Sequence, residues 1–375
     1  MKSHNLKYIP ALDHLRAYGA LLIVFYHGLH LFSYQQRFQQ PFSFDHWPLA
    51  GSVAEALVIE GHTVVGLFMV LSGFVLTLGS YGKPIDYRRF LKNRLLRTYP
   101  LFLFFLLVGS CAFPDKFSLP AFLQTIGGLA NLHGSLHVGP FSAMFWVVAV
   151  EWQFYVIFPF LLAVVEKRGA GFLGVMLVLF MLVRFLAFGC GAGMRDLAYW
   201  MILGRMDQFI LGMLAAVYYR RFGLGGRGWF AVLPLAVAGI LALLLFFNRL
   251  GGWPVEAAWK GIWPTVEGGM WGLFLLAYLR VADLVPGWLS RGLTFLGTIS
   301  YSIFLIHFIV ISLLAKQQVR LDLGLDYIGN ALVTTLCLAL PMTLVLAGLT
   351  YGCIEKPFLE LRGKYHRDQA GAGNQ

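Results

Sequence analysis

Charge is what this sequence has least of. Only 13% of its 375 residues are Asp, Glu, Lys or Arg, against 58% hydrophobic residues, and the mean hydropathy is +0.71. A soluble globular domain carries about 25% charged residues, so that class is excluded. Cysteine is scarce as well. Cys111, Cys190, Cys337 and Cys353 sit in or beside apolar runs without paired or metal-ligand spacing, which excludes a disulfide scaffold and a zinc site and leaves them as packing residues. Low-complexity tracts, a large soluble domain and half-to-half repeats are all missing, and many transporters are built on such repeats. Acidic residues are outnumbered 18 to 29. The bases lie in short loops between apolar runs, so the net charge of +11 marks topology and not a nucleic-acid partner.

What fills the chain instead is a succession of apolar runs, each long enough to cross a hydrocarbon core of roughly 30 Å as a helix rising about 1.5 Å per residue. Ten are expected, at 11–32, 58–80, 98–113, 142–165, 170–189, 199–218, 229–247, 260–279, 293–315 and 328–353. The fold class is therefore an all-α, polytopic membrane bundle of about ten transmembrane helices. Residues 1–31 are not read as a cleaved secretory signal, because charge interrupts the run and no small-x-small site follows. With the N-terminus inside, nineteen basic residues face the cytoplasm: Lys2, Lys7, the Lys83 to Arg97 loop, Lys167, Arg168, Arg220 to Arg227, Arg280, Arg291 and the Lys356 to Arg367 tail. Seven face outward: Arg37, Lys116, Arg195, Arg249, Lys260, Lys316 and Arg320. Both termini are then cytoplasmic.

Ionisable residues within such runs are costly in hydrocarbon, by roughly 2.5–3.5 kcal/mol on insertion scales, and usually mark a pathway or a reaction site. Arg16 and His27 share the first run. Glu151 is flanked by Trp146 to Val150 and by Trp152 to Phe160, so it must be paired, protonated or facing water. A structural salt bridge to Arg184 or Arg205 competes with a role beside a histidine. Arg184 lies in the fifth expected crossing and Arg205 and Asp207 in the sixth, and Tyr301 and His307 follow a short polar stretch in the ninth.

Six motifs fall in order along the chain. They are Leu12-Asp13-His14-Leu15-Arg16-Ala17 with Tyr26-His27, Phe68-Met69-Val70-Leu71-Ser72-Gly73-Phe74, Arg94-Leu95-Leu96-Arg97-Thr98-Tyr99-Pro100, the Trp146 to Pro159 segment around Glu151, Ile299 to His307, and Ile354-Glu355-Lys356-Pro357-Phe358. Over roughly residues 8–360 this set resembles the acyltransferase-3 family of integral-membrane O-acyltransferases. The resemblance implies a cytoplasmic acyl-CoA donor, often acetyl-CoA, no permanently bound cofactor or metal, and transfer to a hydroxyl of a carbohydrate or glycan at the bacterial cytoplasmic (inner) membrane. Three positions depart from the family pattern: His14 and Gly66 replace a usual glycine and a usual acid, and Val147 a usual small hydroxyl residue. The C-terminal hydrolase-like domain of some relatives is not expected, so residues 1–360 form one acyltransferase domain and 361–375 a short cytoplasmic tail.

Within that frame His27 is the candidate general base, since imidazole titrates near neutrality and can take a hydroxyl proton; its competing role is a core histidine capped by a neighbouring helix. Glu151 is the second catalytic candidate. Arg16 lies about 16 Å below His27 along one helix and is expected on donor phosphate, with the Arg94 and Arg97 forks and lesser help from Arg88 and Arg89. Ser72 is placed on the donor side, although its Ser-Gly pair also suits close helix packing. Tyr301, His307, Arg205 and Asp207 are expected to bind substrate or support the site. Aromatic and His-rich outer loops, with Trp47, His133, His137 and Trp253, suit stacking on a sugar. Counting along the helices puts His27, Glu151, Arg184, Arg205, Asp207 and His307 in the outer half of the bilayer, and Ser72, Arg16, Arg94 and Arg97 in the inner half. Two joined chambers are expected. The rivals are a transporter of an acylated or lipid-linked metabolite and a non-catalytic scaffold.

Overall fold

The computed structural model describes residues 5–366, so Lys2 and the end of the tail at 367–375 lie outside the described residues. Among the described residues the structure is helical, with one isolated backbone bridge between Ile85 and His366. In chain order the helices are α1 (Pro10–Phe38), α2 (Val53–Ile59), α3 (Val64–Ser80), α4 (Tyr87–Ala112), α5 (Leu119–Gln124), α6 (Phe145–Arg168), α7 (Gly171–Gly189) and α8 (Met194–Tyr199). They continue as α9 (Ile202–Phe222), α10 (Gly228–Arg249), α11 (Trp263–Val281), α12 (Gly287–Thr298), α13 (Ser300–Lys316), α14 (Tyr327–Thr334), α15 (Leu340–Thr350) and α16 (Lys356–Glu360).

Eight helical stretches among the described residues are long and apolar enough to cross a membrane, and the α12–α13 pair makes a ninth if its bent halves count as one crossing. The remaining expected crossing, 260–279, forms α11, a 19-residue helix that carries the buried Glu267. The apolar windows of α7 and α10 are only 11% and 22% buried, whereas that of α3 is 83% buried. α3 is thus interior, and α7 and α10 turn leucine and valine faces toward lipid. The four cysteines are exposed rather than packed in the core, which corrects the sequence-based assignment.

Glycine sets the closest helix contacts. A Cβ at Gly73 of α3 would stand 2.1 Å from the Phe209 carbonyl oxygen of α9, and one at Gly212 would stand 2.1 Å from the Val70 carbonyl oxygen. The two backbones therefore touch, as small-residue interfaces allow. α1 runs through the middle, packed on α3, α12, α13 and α14.

Two expected boundaries change in ways that matter for the site. The continuous apolar run at 293–315 is broken by a 69° bend between α12 and α13. Its cause is tertiary: Gly297 lies directly on the Asp13 carbonyl of α1, where a Cβ would be 2.0 Å from the oxygen. The helix of the third crossing begins not at 98 but at Tyr87, because the Asp86 side chain caps α4 by accepting the Arg89 amide at 3.1 Å. Arg94 and Arg97 therefore sit inside a helix, one turn apart on one face. At the same end of the bundle the chain's two described extremities meet, Asn5 Nδ2 donating to the Gly363 carbonyl at 3.3 Å and the Tyr365 amide to Asn5 Oδ1 at 3.1 Å.

Candidate active site

Three cavities lie in succession along the bundle. At the basic end, a vestibule of about 190 Å³ is lined by Lys7, Arg16, Arg94, Arg97 and Arg362. Asp13 at the first turn of α1 pairs with Arg16 and accepts a hydrogen bond from Tyr8 at 3.0 Å. The Arg97 guanidinium lies 3.5 Å from Glu355 and 5.7 Å from the Tyr301 ring centroid. Arg94 leans on Phe90 and Tyr155, and its buried Nε has no hydrogen-bond partner. Burial and the neighbouring Arg97 and Arg94 pull the Arg362 guanidinium down to about 10. Several guanidinium forks lining one cavity have the charge and planar geometry that suit an anion. Arg88 and Arg89, by contrast, are exposed and line none of these cavities.

Arg16, Arg94 and Arg97 also border the second cavity, of about 140 Å³, which continues inward past Ser72, Glu151 and Tyr301. Ser72, Tyr155, Arg94 and Arg97 line this cavity together with the Glu151 carboxylate. The pairing with Arg184 or Arg205 considered from sequence is not formed. Arg184 instead grips Asp207 at 2.7 and 3.1 Å, and Arg205 lies 3.6 Å from Glu267. Nor does Glu151 group with His27. α6 passes from the outer cavity at Trp146 to the inner one at Glu151 in five residues, about 7.5 Å of rise. Glu151 lines the inner cavity although it lies in the half of α6 nearer Phe145. Ser72 and Gly73 divide two duties, the serine facing the cavity and the glycine meeting α9. Tyr301 donates to the Thr98 carbonyl at 2.7 Å, fastening α13 to α4.

The third cavity, about 200 Å³, lies toward the opposite end and is walled by aromatic rings, among them Tyr26, Trp146, Trp253 and Phe308, with His27 and His30. His27 Nδ1 is 2.9 Å from His307 Nε2, and His307 Nδ1 is 3.0 Å from the Ile303 carbonyl oxygen. That carbonyl can only accept, so His307 carries its hydrogen on Nδ1. With both rings neutral, His307 Nε2 then accepts the His27 Nδ1 hydrogen, and His27 Nε2 keeps its lone pair. Trp253 lines this cavity, whereas Trp47 stacks on His30 and donates to Glu60 at 2.7 Å. His133 and His137 line none of the three.

Arg205 and Asp207 line none of the three cavities either. Their buried ion pairs, extended by Thr265 on Asp207 and by Gln208 and Thr63 on Glu267 at 2.6 Å each, clamp α7, α9, α11 and the start of α3 together. Sequence reasoning missed Arg362 and Lys7 in the vestibule and the place of Glu355, which is 2% exposed and bonded to Ser302. The Ile354 to Phe358 motif counted toward the family resemblance without giving Glu355 a place in the site. The His27–His307 contact carried no signal at a separation of 280 residues.

Among the described residues no group of three or more His, Cys, Asp or Glu could hold a metal ion. A helical membrane bundle with a cationic vestibule at one end and a paired histidine in an aromatic cavity toward the other defines the class. Residues 9–352 match the family model described as an acyltransferase domain, and the chain belongs to this acyltransferase-3 family. It is 25% identical over 394 residues to a protein of Staphylococcus aureus (strain COL) named as an O-acetyltransferase, covering 95% of this chain and 58% of that one. It is 26% identical over 414 residues to a Bacillus subtilis (strain 168) protein named as a peptidoglycan O-acetyltransferase, covering 95% and 56%. The chain thus spans a little over half the length of these relatives. No solved structure matches it significantly.

Proposed function

We propose that this protein is a membrane O-acyltransferase that takes an acyl group, acetyl in the first instance, from cytoplasmic acyl-CoA and places it on a hydroxyl of an envelope carbohydrate at the outer side of the bacterial cytoplasmic membrane. Residues 1–360 act as one catalytic unit, with 361–375 as a cytoplasmic tail. The observation that carries this reading is the alignment of His27, with a lone pair at Nε2, on the same succession of cavities as the arginine vestibule.

Arg16, Arg94, Arg97 and Arg362 hold the donor phosphates. Glu151, with Tyr155 and Ser72, sets the Arg94 and Arg97 forks and borders the path of the pantetheine arm. At the outer cavity His27 Nε2 takes the acceptor hydroxyl proton as the oxygen attacks the thioester carbonyl. The carbon–sulfur bond breaks, and the departing thiolate recovers the proton from His27. His307 keeps the His27 ring in the productive tautomer, and the aromatic walls stack on the apolar faces of a sugar. The relatives' names, an O-acetyltransferase and a peptidoglycan O-acetyltransferase, favour acetyl and a wall glycan.

The transporter alternative asks for paired broken crossings. The bend at Ile299 is single among the described residues. Purified protein in lipid, given labelled acetyl-CoA and a panel of glycans that includes peptidoglycan, should leave an alkali-labile ester on the glycan. Donor binding accompanied by movement of an already acylated product, without new ester, would favour transport.

A further inference from the structure

We propose that Phe304 decides which acyl groups reach His27, admitting slender acyl chains and holding back branched or aromatic ones. The inference rests on the donor path just proposed. Among the described residues, Phe304 is the one side chain that lines both the inner cavity and the outer one. It sits on α13 one turn before His307, with its ring 5.9 Å from the His307 ring and 6.0 Å edge-on from that of Phe68.

Phe68 cannot retreat toward α1, because a Cβ at Gly19 would already stand 2.8 Å from its ring tip. The helix that carries it is pinned by the Gly73–Gly212 crossing with α9. One wall of the passage is therefore fixed, and the Phe304 ring must turn aside for a donor to pass. Polar groups stop on either side, at Ser72 and Glu151 below and at His27 above, so the partition between them is apolar. Such a partition accepts an acyl tail and a thioester but not a phosphate, which keeps the nucleotide end among the arginines. An acetyl or straight acyl group is no wider than the cysteamine arm that follows it. A branch at the α-carbon, or a ring, is wider and must press the Phe304 ring against Phe68. Discrimination of this kind in an apolar pocket amounts to about 10- to 200-fold.

The test is release of CoA thiol from acetyl-, butyryl-, isobutyryl- and benzoyl-CoA, measured with a glycan acceptor and, separately, with water as the acceptor, where the products are the free acid and CoA. Wild type should favour acetyl and butyryl. Phe304→Leu, which keeps the core nearly filled, and Phe304→Ala should raise kcat/KM for isobutyryl- and benzoyl-CoA relative to acetyl-CoA by about ten-fold or more. Phe308→Ala, which touches only the outer cavity, should leave the ratio as it is. A folded, CoA-binding Phe304→Leu protein with the wild-type ratio, or an equal change in Phe308→Ala, overturns the inference while the acyltransferase reading stands. Wild type that binds donor yet releases CoA from none of the four overturns both.

Discussion

At the scale of single residues, the proposed site rests on one histidine orienting another, with His27 Nδ1 at 2.9 Å from His307 Nε2. A carboxylate in the place of His307 would bring a second charge into a low-dielectric interior, whereas a neutral imidazole orients His27 without one. His27→Ala should lower turnover by about 10²- to 10⁴-fold, the usual yield of a general base. His307→Gln should retain more activity than His307→Ala, since a glutamine oxygen can accept the His27 Nδ1 hydrogen; steady-state CoA release distinguishes the two, and equal losses would refute the orienting role. His27 was readable in sequence as an ionisable residue deep in an apolar run, but its partner was not, because only the packing of α1 on α13 brings the rings together. Gly66 tells a similar story. The acid usual in the family at this position is absent, and Glu267 of α11 reaches the same place, 2.9 Å from where a Cβ at position 66 would lie. Breaking such a buried pair costs about 3–5 kcal/mol. Glu267→Ala should therefore lower the melting temperature markedly and leave donor affinity unchanged in the protein that remains folded.

Among elements, the α3–α9 crossing and the α12–α13 bend decide where the site can be. Gly73→Leu would drive a side chain into the α9 backbone, and it should abolish folded, monodisperse protein, whereas the neighbouring Ser72→Ala should fold normally; size-exclusion chromatography in detergent separates these outcomes. Hydropathy recovered the crossings well because each buries or presents a long apolar surface. It could not recover the bend, since 293–315 reads as one run and the break depends on Gly297 meeting Asp13, nearly three hundred positions away. The early start of α4 was missed for a different reason. Its first turns are polar and lie outside hydrocarbon, so helix capping by Asp86, and not hydrophobicity, extends the helix through Arg94 and Arg97.

On the scale of the whole molecule, the cavities form a series from a cationic end to an aromatic one, and the proposed mechanism places donor recognition at the first and proton transfer at the second. The arginine pair was visible in sequence; Arg362 joined it only because the tail folds back beside Asn5 and Asn93. Each charge-assisted contact to phosphate is worth about 1.5–3 kcal/mol, so Arg362→Ala should weaken acyl-CoA binding by about 10- to 100-fold. Binding should also weaken with rising salt, as charge-guided association does. Titration calorimetry at two ionic strengths reads both effects.

The division of labour between the two ends is most directly tested by measuring acetyl-CoA affinity and maximal turnover separately for wild type, His27→Ala and Arg97→Ala in lipid. His27→Ala should bind donor with wild-type affinity and turn over almost none of it, and Arg97→Ala should bind about ten-fold or more weakly but approach wild-type turnover at saturating donor. Wild-type turnover by His27→Ala, or wild-type affinity in Arg97→Ala, would contradict it.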